Sequence, residues 1–542
     1  MDQGTHHPQK YGLESVAALV FAGLIISLFA YVYGIFLLRL GYPTPDTVTG
    51  IGVPFSLSFT VLLNQFLNRG YPEIESRALS ATLWTMAIIF VFVSVAAWAL
   101  WGWWNKNRMI RFMKQRYSSR QGTAEIGNAS SLKKLIGTDG VILGSSGRRT
   151  IRFSQRASCE HTAVIGPTGC GKTTRFFIPN LLDLPPGSSA IVTDPKGEMA
   201  KITAPILRSR GFNVHMFHPH EPYNPQRSMI YNPLQLAKSD TEVSELAEIM
   251  IRNGYFASGQ AGDTQWISFS QPLWEAALLA IRQREEIPCI ADAYEIIATM
   301  TEEDRSEEFK QVGGVALDRY LTYLQSAQSP ETSASIRTVL LSSVRNFVRP
   351  DIAAVVNGQA SFNMSELRRK PTVFFIQVPE RKAHLMKPLT ATMYWQIIEH
   401  IMDEDGCPIF FFLDEFPNIG QIPGFSQLAA TARSRGISLN IGIQGVEQLA
   451  REYSREDQVD ILNNMKTKIY FPGSTGEAGS QVANLGGYST MVQDGMAQRK
   501  ELLTADELRR IPDDSVLVLA HNLNPVLLNS VPYFKKKGVW PF

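Results

Sequence analysis

The chain has 542 residues, with 52 Lys+Arg against 50 Asp+Glu and a formal net charge of +2. That length implies more than one structural unit, and the near-neutral balance excludes a uniformly basic, histone-like coat while leaving room for local basic patches. The four cysteines (Cys159, Cys170, Cys289 and Cys407) form no CxxC pair, which argues against a disulfide framework or a zinc site and for a reducing compartment.

Two uncharged apolar runs open the chain: VAALVFAGLIISLFAYVYGIFLL, residues 16–38, and ATLWTMAIIFVFVSVAAWALWGWW, residues 81–104. Each is long enough to cross about 30 Å of hydrocarbon as a helix. The second is followed by NKNRMIRFMKQRYSSR, with Lys106, Arg108, Arg111, Lys114, Arg116 and Arg120 and no acid. By the positive-inside rule the C-terminal bulk and the short N-terminus are cytoplasmic and the loop of residues 39–80 faces out. Trp98, Trp101, Trp103 and Trp104 gather where the second span should meet the headgroups.

The next signal is HTAVIGPTGCGKTTRFFIPN, an apolar strand, a glycine turn and a helix start. Gly166 to Thr173 fits G-x-x-x-x-G-K-[ST], the arrangement in which backbone N–H groups and a helix N-terminus meet phosphates. The expected nucleotide cradle is Gly166, Pro167, Thr168, Gly169, Cys170, Gly171, Lys172, Thr173 and Thr174. Lys172 is assigned to the β- and γ-phosphates and Thr173 to magnesium. Downstream, SSAIVTDPKGEMA reads as another buried strand, which would bring Asp194 and Glu198 to the ligand end of a parallel sheet.

Strand-like runs stop near NVHMFHPHEP and resume at TVFFIQV, residues 372–378. Pro219 breaks the spacing of His215, His218 and His220, so those histidines are not read as a metal site. Between the strands lie helical periodicities: SDTEVSELAEIMI behind a cap-like Ser239–Asp240, the segment from Trp274 to Arg284, and SASIRTVLLSSVRNFV. Trp266 and Trp274 read as core rather than as base-stacking platforms. The spacing predicts an all-α insert over residues 235–348.

CPIFFFLDEFPNI then supplies a strongly apolar strand, Ile409 to Leu413, ending in Asp414 and Glu415. This is a Walker B pattern, with Asp414 serving magnesium and Glu415 orienting or deprotonating the attacking water. TARSRGISLNIGIQG places Arg433 and Arg435 ahead of a further apolar strand that ends at Gln444. A strand-end amide beside Walker B suits a sensor of the γ-phosphate, and an arginine on the intervening helix suits a finger across a subunit boundary.

Together with YNPL (residues 231–234) and FPGSTGEAGSQVANLGGYST (residues 471–490), these motifs make the chain resemble the type IV coupling proteins of bacterial conjugation and type IV secretion, the TraG/TraD family. The resemblance runs over nearly the whole chain. It implies an α/β fold: a two-span N-terminal transmembrane anchor (residues 1–120), then a RecA-like P-loop domain (121–234 and 349–542) interrupted by an all-α domain (235–348). It implies ATP and Mg2+ as cofactors, Lys172, Thr173, Asp414 and Glu415 in hydrolysis, Arg433 as the finger in trans and Gln444 as the sensor. It further implies a homo-hexamer in the bacterial inner membrane. That ring would receive relaxase-bound single-stranded DNA or protein effectors and deliver them to the secretion channel. The long acidic tail some members use for docking is not seen before Phe542. Two other functions share much of this machinery: a receptor and scaffold whose nucleotide governs assembly, and an FtsK-type DNA translocase, which would carry more spans and a DNA-reading terminal domain.

Overall fold

The computed structural model describes residues 81, 84, 85, 124–219, 228–257, 264–493 and 496–535. The chain divides into two units, Met1–Phe112 and Met113–Phe542, and the fold below is that of the second. Apart from Ala81, Trp84 and Thr85, the two expected spans lie outside the described residues, and among the described residues no helix is long and apolar enough to cross a membrane.

An eleven-stranded sheet organises the unit. Its strands are β1 (Ile142–Ser146), β2 (Arg149–Arg152), β3 (Thr162–Ile165), β4 (Ser189–Thr193), β5 (Asn213–Phe217), β6 (Thr372–Ile376), β7 (Ile409–Leu413), β8 (Ile437–Ile443), β9 (Thr467–Tyr470), β12 (Ser515–Ala520) and β13 (Val526–Asn529). The strands β10 (Tyr488–Gln493) and β11 (Met496–Glu501) pair separately as a hairpin. The order is β2-β1-β13-β12-β9-β3-β8-β7-β4-β6-β5. From β9 to β5 every neighbouring pair is parallel, and from β9 outward through β12, β13, β1 and β2 every pair is antiparallel.

Composition follows position. The parallel strands β3, β4, β6, β7 and β8 are buried along their whole length, which is why they read as unbroken apolar runs. On one face, Phe176 and Phe177 pack edge-to-face at 5.2 Å, and Phe177 meets Phe412 of β7 in the same way at 6.4 Å. Each fully buried phenylalanine contributes roughly 1.5–3 kcal/mol. The helix after β3 begins as a π-helical turn, Thr173–Phe177, and continues as α1 (Ile178–Leu182). Asn180 on α1 is buried; its amide donates to the Phe176 and Ile142 carbonyls and accepts from Ile142 N–H, fastening β1 to that helix.

Helix α2 (Glu198–Ser209) joins β4 to β5. Between β5 and β6 comes a helical block: α3 (Asp240–Ala257), α4 (Gln265–Arg284), α5 (Ile290–Thr299), α6 (Glu302–Val312), α7 (Gly314–Ser326) and α8 (Pro330–Val344). Ser239 Oγ accepts from Glu242 N–H at 3.1 Å and starts α3, and Ser329 caps α8 through Thr332 N–H. A further helix, Pro350–Val356, carries the helical run past the expected boundary at 348. The block packs through α3 onto α9 (Ala383–Met402), the helix between β6 and β7. At that junction the Glu242 carboxylate accepts from Lys238 N–H, Gln396 Nε2 and His400 Nε2. Trp274 on α4 is fully buried in the block's core.

His161, at the start of β3, is 2% exposed and adopts φ 63. Leu439 N–H donates to its Nδ1, so the ring is the Nε2–H tautomer and donates to the Ala429 carbonyl at 2.7 Å. Burial pushes the imidazole down to about 4, against the hydrogen bond to Ala429, with the Arg433 guanidinium lowering it further. The unfolded chain therefore binds the proton more tightly. Stability from this group is complete above pH 6.5 and is lost as pH falls from 6.5 to about 4, on the order of 3 kcal/mol in all. In melts between pH 7.5 and 4.5, His161→Gln is expected to lose less stability than the parent chain; equal slopes would exclude the imidazole as the source.

Candidate active site

Gly166 N–H donates to the Ile443 carbonyl at 3.2 Å, so the glycine loop springs from β3 while tied to the end of β8. Gly169 and Gly171 hold φ of 81 and 92, the left-handed region that L side chains avoid, and this aims the loop's backbone toward the cleft. Lys172, 5% exposed, donates from Nζ to the Gly166 carbonyl at 2.7 Å and lies 3.9 Å from Glu415 Oε1.

Strand β8 separates β3 from β7, and the acids leave the end of β7. Thr173 Oγ1 donates to Asp414 Oδ2 at 2.5 Å across that gap. Gly442 on β8 leaves room for the approach: a Cβ there would stand in tight contact, 3.1 Å from Phe177 Cζ and 3.2 Å from Asp414 Oδ1. Burial pushes the Asp414 carboxyl up to about 6; the Thr173 hydrogen bond opposes that, Glu415 adds to it and the Lys172 ammonium opposes it. Glu415 takes φ 60, a left-handed conformation rare for a side-chain-bearing residue and a strain of about 1–3 kcal/mol. Gln444 Nε2 donates to Glu415 Oε2 at 3.0 Å, while Gln444 N–H donates to Gln448 Oε1.

These groups face a cavity of about 350 Å³ also lined by Pro167, Thr168, Gly169, Gly171, Thr174, Asp194, Lys196, Glu198 and Glu380. Lys172, Thr173, Asp414, Glu415 and Gln444 thus come together, as their positions in sequence suggested. Gly166 sits behind the loop and supplies the carbonyl that holds Lys172. Cys170 is half-buried and is not among the lining residues.

Asp194 reaches the cavity but is occupied with structure. It is 1% exposed, and its two carboxylate oxygens accept from Met199 N–H at 3.2 Å and Ala200 N–H at 2.8 Å, holding the first turn of α2. Burial raises its pKa, and those two backbone bonds with that from Gln377 oppose the rise. Gln377, which donates to Asp194 Oδ2 at 3.3 Å, escaped the sequence reading. Its signal was present: like Gln444, it is an amide directly after a buried parallel strand.

Arg433 and Arg435 lie elsewhere, in a short 3-10 turn at the opposite end of β8. Seven residues at ~3.3 Å make β8 roughly 23 Å long, so Arg433 cannot reach the loop of its own chain. Arg435 is exposed. Arg433 NH2 pairs with Glu160 Oε1 at 2.8 Å.

Residues 117–540 match the sequence profile of the family described as Type IV secretory system Conjugative DNA transfer. The VirD4 protein of Rhizobium radiobacter is 22% identical over 492 residues, 84% of this chain and 69% of that protein. The VirD4 protein of Agrobacterium fabrum is 22% identical over 453 residues, 77% of this chain and 65% of that protein. Among solved structures, the plasmid coupling protein TrwB in complex with ADP and Mg2+ gives a TM-score of 0.62 at 16% identity, covering 77% of this chain and 94% of that one. TrwB in complex with the ATP analogue ADPNP gives 0.62 at 17% identity, covering 77% and 95%. The likeness establishes the α/β fold with its large mixed sheet.

The hydrogen bonds at Asp194 make a quantitative statement about α2. Asp194→Ala is expected to destabilise the unit by about 2–3 kcal/mol in denaturant titration, and Asp194→Asn by about half that. A loss under 0.5 kcal/mol for the alanine variant would show that α2 does not depend on this carboxylate.

Proposed function

The chain belongs to the type IV secretory system conjugative DNA transfer family, and as a coupling protein of that class we propose that it is a membrane-anchored ATPase that powers or gates transfer of a substrate into a secretion channel. The observation that carries the proposal is the convergence of Lys172, Thr173, Asp414, Glu415 and Gln444 on one cavity at the C-terminal ends of adjacent parallel strands.

The donor set fits ATP with Mg2+. Two left-handed glycines, a buried ammonium, and a hydroxyl hydrogen-bonded to a buried carboxylate are the groups that a triphosphate and a hard cation require. TrwB, which shares the fold, is solved with ADP and Mg2+ and with ADPNP. When bound, ATP supplies the phosphoanhydride bond and magnesium neutralises charge on its phosphates.

The chain's own residues do the rest. With nucleotide bound, Lys172 Nζ would exchange the Gly166 carbonyl for phosphate oxygens, and Thr173 and Asp414 would hold the cation. Glu415 accepts a proton from the attacking water at its carboxylate, which Gln444 Nε2 orients. Gln444 directly follows β8, the strand whose other end is preceded by Arg433. Arg433, out of reach of its own site, serves a neighbour's site in a homo-hexameric ring.

The domain reading completes the picture. Residues 1–120 form a two-span anchor in the bacterial inner membrane with the C-terminal bulk cytoplasmic. Residues 121–234 and 349–542 form the RecA-like motor, and residues 235–348 form the all-α domain that meets the substrate. The substrate is relaxase-bound single-stranded DNA, protein effectors, or both.

In the purified full-length chain, Glu415→Gln is expected to lower the ATPase kcat by about 10²–10⁴-fold while nucleotide still binds. Lys172→Ala is expected to abolish hydrolysis and substrate transfer with membrane insertion retained. Full transfer by either hydrolysis-dead variant would overturn the motor and favour a nucleotide-assembled receptor. Stimulation of the ATPase by single-stranded DNA would identify nucleic acid as a substrate.

A further inference from the structure

Among the described residues, the anion partner of Arg433 is Glu160. Glu160 precedes β3 and is 13% exposed on its side chain. One carboxylate oxygen, Oε1, takes Arg433 NH2 at 2.8 Å; the other, Oε2, takes His521 Nδ1 at 3.0 Å. Its backbone is equally fixed, since Glu160 N–H donates to the Ala157 carbonyl and the Glu160 carbonyl accepts from Lys466 N–H at 3.0 Å. The next residue, His161, binds the carbonyl of Ala429, on the helix Phe425–Ala432 that runs directly into Arg433.

Two consecutive residues at the foot of the strand bearing the P-loop therefore grip one element. His161 holds the backbone of the helix before Arg433, and Glu160 holds the guanidinium. The Arg433 side chain is nevertheless 47% exposed, oriented but not covered. An unrestrained arginine side chain loses rotamer entropy when it is immobilised. A carboxylate that is 13% exposed, with a partner at each oxygen, restricts that freedom before any partner subunit arrives.

We propose that Glu160 is a positioning residue for the reaction: it pre-orients Arg433 for use in the nucleotide site of an adjoining copy of this chain, and so couples the start of β3 in one subunit to phosphate chemistry in the next. This rests on the reading of Arg433 as a finger in trans. It adds a residue that touches neither nucleotide nor reacting atoms, and it places Glu160 in the Arg433 functional class rather than in that of Lys172.

The test uses full-length chains, purified and assembled together, and reads ATPase activity. Glu160→Ala is expected to lower kcat about tenfold or more, the scale of a misplaced catalytic group, with the KM for ATP changed less than about twofold. Glu160→Gln, which keeps an oxygen for the guanidinium, is expected to recover part of the loss and carries the test if the alanine variant does not fold. Mixed assemblies give the readout that a merely structural role would not produce. Glu160→Ala mixed with Lys172→Ala should regain activity, because an intact finger meets an intact site; Glu160→Ala mixed with Arg433→Ala should not. If Arg433→Ala loses activity while both Glu160 variants keep the parent kcat, the positioning role is overturned and the finger stands. If Arg433→Ala keeps the parent kcat, the finger reading itself fails. Failure of the Glu160→Ala and Lys172→Ala mixture to recover, when Arg433→Ala and Lys172→Ala recover, also overturns the proposal.

Discussion

The hydrogen bond from Thr173 to Asp414 joins two strands that are not neighbours, and most of the unit's geometry is what that bond requires. Strand β8 lies between β3 and β7, parallel to both, with Ile165 opposite Ile443 and Leu413 opposite Ile441, so the residues that follow β3 and β7 emerge on the same side of the sheet. It carries glycine at 442, where a methyl group would stand in tight contact with both Phe177 and the Asp414 carboxylate. The helix after the loop must be anchored from beneath, which the Phe176, Phe177 and Asn180 contacts accomplish. A buried carboxylate with a single neutral donor is an unfavourable arrangement in isolation, and the surrounding packing keeps it in place.

The helical block is bonded to the region that carries the acids. Downstream of Glu415 the chain turns through Phe416–Ile419 to Gly420 and Gln421. Asn253 on α3, 2% exposed, donates to the Gln421 carbonyl at 2.9 Å and accepts from Gln421 N–H at 2.7 Å. Thr390 on α9 donates to the Ile419 carbonyl at 2.6 Å. With the Glu242 junction, the Asn253 bonds give the block fixed points on the sheet unit. Such junctions are specific in register because a shift leaves donors and acceptors without partners.

The legible part of this chain was the part whose physics is local. Parallel strands covered on both faces declare themselves as apolar runs, so β3, β4, β6, β7 and β8 stood out, and the residues ending β3, β7 and β8 marked the site. The antiparallel side of the sheet went largely unread, although β12, SVLVLA, is itself an apolar run. β2 is RTIR and β9 is TKIY, four-residue segments with neither a continuous apolar run nor an alternation long enough to register. Glu160 was invisible for a different reason. Its significance depends on His521 and Arg433, and only closure of the sheet through β8, β9 and β12 brings them to it. Asp194 had the right position for chemistry, but its two helix-holding bonds belong to tertiary geometry that residue type does not encode.

The placement of β3 also sets a timetable for synthesis. Its partners across the sheet are Asn440 on β8 and Thr467 on β9, so both edges of the P-loop strand wait for most of the remaining chain. At ~5–20 residues per second a ribosome takes roughly 15–60 s to deliver the first of those partners. Throughout that interval an apolar strand with two unsatisfied edges stands open to mispairing. The intervening helical block rests on shorter-range contacts and can collapse in the meantime. Completion of the nucleotide cleft is thus a late event in synthesis, after β8 and β9 have been made.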